Sequence, residues 1–178
     1  MLNSYKKKVL LSILQEADKV IQIQITGTSM YPFLKIDDTV FFNVSKNNTY
    51  KCGDIIAYYD NNSNIIVHRF IKWKEINNLI FFCQKGDNLL SWSWISIENL
   101  IGKAIFIITK DKKKIVLKKQ FIKNRITGYI VLIIVLFYES AFKRKKNKLL
   151  NNSFALYLWQ QLVLFVTNMQ KIINNFIK

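Results

Sequence analysis

Histidine, cysteine and acidic side chains are all scarce in this sequence, and each scarcity closes off a class of function. The 178 residues contain one histidine and two cysteines. Cys52 and Cys83 stand 31 residues apart with no CxxC pair, whereas a zinc site needs about four such ligands. No metal and no cofactor are therefore expected. The thiols read as small buried hydrophobes, with a single disulfide between them left open. A secretory leader is also missing as a pattern. Lys6, Lys7 and Lys8 precede VLLSIL, but that run is six residues long before Gln15, Glu16 and Asp18 intervene, and a leader needs about 7–15 apolar residues.

Eleven acids face 27 basic residues, giving a formal charge of +16. A nucleic-acid binder would carry such an excess on its folded domain. Here residues 1–109 hold 12 Lys/Arg against 9 Asp/Glu, and residues 110–178 hold 15 against 2. The surplus thus sits beside the longest uncharged apolar stretches. That placement suits an anionic membrane surface, at about 1 kcal/mol per cation near the lipid. Anionic membrane lipid is the expected partner, and nucleic acid is not.

Three regions follow from periodicity. Residues 1–19 read as an amphipathic helix, capped by Ser4, with Leu10, Ile13, Leu14 and Ala17 on one face. Residues 20–120 read as a compact, mainly antiparallel β domain. VIQIQI alternates as a half-buried strand should, and TVFFNV, DIIAYY, IIVHRFIKW, LIFFCQK and GKAIFIIT follow, with KIVLKK as a short closing strand. Asn47-Asn48, Asn61-Asn62-Ser63, Asn77-Asn78 and Gly86-Asp87-Asn88 supply the turns. Residues 121–178 read as apolar helices around the basic cluster KRKKNK. The uncharged run 126–138 would reach only ~20 Å as a helix, short of the ~30 Å hydrocarbon layer. Spanning, re-entering and lying on the interface all stay open, as does burial against the β domain.

Three pieces could carry chemistry together. GTSMYP, residues 27–32, follows the alternating strand and can present Ser29 at a strand end, with Gly27 freeing the backbone and Pro32 stiffening the exit. His68 sits inside the apolar strand IIVHRF. A serine hydroxyl is a poor nucleophile until a base takes its proton, and an imidazole titrating near 6.5 suits that task. Asp87, in the KGDN turn, could accept the His68 Nδ1–H and hold the ring in the useful tautomer.

The order SM-x-P, GDI, HR, KGDN and GK over residues 20–109 resembles the signal peptidase and self-cleaving repressor superfamily. It is most similar to the endoplasmic-reticulum-type branch of signal peptidases, in which a histidine replaces a lysine base. The resemblance implies a serine endopeptidase that removes signal or leader peptides, with Ser29 as nucleophile, His68 as base and Asp87 as its partner. It implies a precursor polypeptide bound as an extended strand, with small residues one and three positions before the cut. Met30 and Val40 would line the pockets, and Thr28 would offer a second oxyanion donor. Gly27 stands where family members often have a second serine. IDD, residues 36–38, stands where they usually have a glycine before the aspartate, which asks Asp38 to take a turn glycine would take more easily. The region after KGDN, LLSWSWIS, lacks the further acid many members carry. The apolar region lies C-terminal to the β domain, where most members have an N-terminal anchor. Two other functions compete: a catalytically silent membrane-associated scaffold, and a self-cleaving DNA-binding repressor. The repressor would need a helix-turn-helix domain in the ~20 residues before the β domain.

Overall fold

A computed structural model describes residues 2–89, 91–117, 125–133, 135–136 and 168. The cluster 143–148 and the apolar stretch 149–170, apart from Asn168, lie outside the described residues. Eight strands form one open antiparallel sheet: β1 (Lys19–Gln24), β2 (Thr39–Val44), β3 (Ile55–Tyr59), β4 (Ile65–Ile76), β5 (Leu79–Lys85), β6 (Ser93–Ser96), β7 (Leu100–Ile108) and β8 (Lys114–Val116). Their order is β1-β2-β7-β3-β4-β5-β6, with β8 also on β7. The mainly β expectation therefore holds. Ser93–Ser96 is a strand the sequence did not announce, because the four residues Ser-Trp-Ile-Ser are too short for a period to show.

Alternation explains why these segments pair as they do. In β2, Val40, Phe42 and Val44 are fully buried while Thr39, Phe41 and Asn43 are half-exposed. β1 turns Ile21 and Ile23 onto the same core and leaves Gln22 and Gln24 in solvent. The β4–β5 hairpin reverses at Asn77-Asn78, both at positive φ (51° and 61°), the geometry for which asparagine is among the favoured non-glycine residues. The main core joins Met30, Leu34, Val40, Phe42, Ile55, Ala57 and Ile107, among others, beneath the segment that carries Ser29.

Helix α1 spans Leu2–Glu16 and ends where Asp18 turns left-handed (φ 47°). Its packed face differs from the expected one. Leu11 and Leu14 meet the core, while Leu10 and Ile13 are 54% and 55% exposed. A second helix, α2, covers 125–133 and 135–136. Thr127, Val131 and Val135 are buried, the two valines against Ile71 and Cys83. Gly128 touches the Cys52–Gly53 backbone so closely that a Cβ there would collide with it. This part of the apolar region is thus packed on the β domain by one face. Its other face, Ile126, Tyr129, Ile133 and Leu136, is exposed. Among the described residues no helix is long and apolar enough to cross a membrane.

Candidate active site

The segment holding Ser29 is fixed at both ends by backbone bonds. Ile25 N–H donates to the Asp38 carbonyl (2.8 Å) and Asp37 N–H to the Ile25 carbonyl (2.9 Å), extending the β1–β2 ladder. Asp37, not Asp38, takes the left-handed turn (φ 72°). Asp38 instead buries its carboxylate, which accepts from the Lys35 and Lys110 N–H groups at 2.9 and 3.0 Å. Beyond Ser29, the Leu34 N–H donates to the Met30 carbonyl (2.9 Å), and both side chains are core residues. Met30 and Val40 are buried in the interior. Thr28 is exposed.

The KGDN turn grips this segment. Asn88 N–H donates to the Ser29 carbonyl (2.8 Å) and Asn88 Nδ2 to the Thr28 carbonyl (3.3 Å). His68, on β4 opposite Ile56 of β3, comes from the other side. A Cβ placed on Gly86 would stand 2.7 Å from the Ser29 carbonyl oxygen and 2.9 Å from His68 Nε2. Serine loop and imidazole therefore face each other across a position where only glycine leaves room. Ser29 Oγ and the Ser29 N–H make no hydrogen bond among the described residues. The hydroxyl is free to turn to a base and the N–H to an incoming oxyanion.

Asp87 does not hold His68. Both its oxygens are taken by Arg69, from Nε at 2.6 Å and Nη2 at 2.7 Å. Arg69 Nη1 donates further to the Gly53 carbonyl (3.1 Å), and the guanidinium lies over the Phe33 ring (4.7 Å). Arg69 and Asp87 are 0% and 1% exposed. Adjacent strand residues point to opposite faces, so Arg69 draws the carboxylate to the face away from the imidazole. In its place, His68 Nδ1 is hydrogen-bonded to Gln84 Oε1, with the Tyr58 hydroxyl at 3.3 Å. Gln84 Nε2 in turn donates to Ser93 Oγ. Sequence reading missed Gln84, Tyr58, Arg69 and Ser93, and only the Arg69 guanidinium, charged inside an apolar strand, was a signal that could have been used.

Burial holds the His68 ring below its usual titration range. The Gln84 bond and the Asp87 charge act the other way, and Lys85 adds to the lowering. The imidazole is therefore neutral at neutral pH, with Nδ1 facing Gln84 and Nε2 facing the serine loop across Gly86. Lys85 is buried on β5, its Nζ donating to the Gly86 carbonyl (3.1 Å). Cys52 and Cys83 are both free thiols, and burial pushes Cys52 up to about 11. The structure thus brings together Ser29, His68 and the KGDN turn, and separates Asp87 from the imidazole. Neither a protein-family model nor a curated protein matches the chain.

Proposed function

We propose that this chain is a serine endopeptidase of the signal peptidase type, cutting signal or leader peptides from precursor polypeptides. The supporting observation is the meeting of the Ser29 segment and His68 Nε2 across Gly86. His68 takes the Ser29 proton as Oγ bonds to the scissile carbonyl carbon, and the Ser29 N–H receives the oxyanion. The carbon–nitrogen bond then breaks, and His68 returns its proton to the departing amine. Water, deprotonated by the same nitrogen, releases the acyl group. Among the described residues β1 pairs with β2 alone, so its other edge can take the precursor as an added strand that leads directly to Ser29. A β domain of the signal peptidase and repressor type would present the site in this way.

An acylating active-serine probe applied to the full chain tests the reading. Mass spectrometry should find the label on the peptide containing Ser29. A folded protein that never takes the label would favour the silent scaffold instead. Gly86→Ala refines the test. Its methyl group would force the serine loop and the imidazole apart, and a misplacement of about 1 Å costs on the order of 10²-fold in rate. Labelling is expected to slow by about that factor. An unchanged rate would mean that the two groups need not approach there.

The exposed apolar face of α2, with the basic cluster 143–148 in the sequence beyond, supports docking on anionic lipid. Sedimentation with vesicles should show binding that rises with anionic lipid content and weakens with salt. Equal binding to neutral vesicles would remove the charge from the account.

A further inference from the structure

We propose that Gln84, steadied by Ser93, is the positioning residue that decides which ring nitrogen of His68 carries the proton, the place a carboxylate would fill. The inference rests on reading His68 as the base. A general base must offer a lone pair to the hydroxyl it activates, so the proton has to sit on the far nitrogen. Gln84 Oε1 can only accept, and it faces Nδ1. The proton is thereby placed on Nδ1 and the lone pair on Nε2, which faces the Ser29 segment. Turned over, the amide would present its NH2 group to Nδ1 and favour the tautomer with Nε2 already protonated, which can take nothing from serine. Ser93 Oγ, reaching from the edge strand β6, accepts from Gln84 Nε2 and steadies the side chain beside the ring.

The carboxylate near enough to compete is engaged elsewhere, because Arg69 binds both Asp87 oxygens. The groups that bear on the ring are Asp87 from the turn, which favours its charged form, Lys85 from β5, which opposes it, and the neutral Tyr58 hydroxyl from β3. An uncharged partner on Nδ1 orients the ring without favouring its protonation as strongly as a carboxylate would.

His68 is the only histidine in the chain, so ring-¹⁵N-histidine labelling of the full chain reports on this ring alone. The neutral wild-type ring should carry its proton on Nδ1. Gln84→Met, of similar length but without an acceptor, should lose that preference, and Ser93→Ala should weaken it. Gln84→Glu should keep the proton on Nδ1 and raise the ring's titration midpoint by about 1–3 pH units. A wild-type ring protonated on Nε2, or an unchanged tautomer in folded Gln84→Met, would overturn the proposal. If Gln84→Met does not fold, the near-isosteric Gln84→Glu decides, and an unmoved midpoint overturns it. The readout needs no substrate. The expected tautomer without Ser29 labelling would remove the peptidase reading alone, and labelling with the wrong tautomer would remove this inference alone.

Discussion

Alanine in place of His68 is expected to slow acylation of Ser29 by on the order of 10⁴- to 10⁶-fold. The serine hydroxyl is almost fully protonated at neutral pH, and His68 Nε2 faces its loop across Gly86. Binding and the oxyanion N–H would remain, which sets a floor above the uncatalysed rate. Ser29→Ala should abolish labelling at that residue. For turnover of a precursor, the Ser29→Ala/His68→Ala double variant should be no slower than the worse single variant, because the two act as one unit. Burial keeps the wild-type ring titrating below 6.5. The active neutral form is therefore retained below pH 6.5, and the rate falls only as the pH passes down through the lowered midpoint. Labelling rates measured across acidic and neutral pH check both points. A His68→Ala protein within about tenfold of wild type would remove His68 as the base.

Asp87→Ala is expected to destabilise the fold by about 3–5 kcal/mol, because it leaves the Arg69 charge buried with its strongest partner gone. A domain of this kind has only about 5–15 kcal/mol in total, so the variant should be largely unfolded under mild denaturant. The loss is electrostatic rather than a loss of apolar packing. Replacing both members, as Arg69→Met with Asp87→Leu, should recover most of it, since buried pairs exchanged for apolar groups of similar volume are often neutral or better. Denaturant midpoints for the two single variants and the double variant give the coupling directly. An Asp87→Ala midpoint close to wild type would mean that the pair does not hold the KGDN turn to β4. The same experiment separates the stabilising role of Asp87 from the orienting role the sequence had suggested for it.

Strand placement was legible because each segment announces its own period. TVFFNV and LIFFCQK were found residue for residue, and Asn77-Asn78 marked the β4–β5 hairpin. The partner of His68 was not legible, and a single irregularity explains why. Near the hairpin turn, Ile76 pairs with Leu79 and Lys72 with Cys83. Carried on without interruption, that register would set Asp87 across from His68, in the place the motif order suggests. A bulge between Phe70 and Lys72 shifts the pairing, so that Phe70 meets Gln84 and Arg69 meets Lys85. Gln84 then shares a face with His68, and Asp87 passes to Arg69. A one-residue slip changes the face of every side chain beyond it, and nothing local in HRFIKW marks where it falls. The helix face was missed for a related reason. Leu10, Leu11, Ile13 and Leu14 offer two overlapping stripes, and contact with the sheet selected Leu11 and Leu14.

The seat of α2 joins the two ends of the molecule's chemistry. Gly128 rests on the Gly53 backbone, Arg125 bonds the Cys52 carbonyl, and the Gly53 carbonyl holds Arg69, whose carboxylate partner stands one residue from Gly86. The apolar helix is consequently not a removable appendage. It is a keystone over Ile71 and Cys83, and a chain trimmed just before it would uncover a hydrophobic floor and slacken the guanidinium behind the serine loop. A bilayer that gripped the outer surface of this helix would also be gripping the scaffold behind the reacting groups.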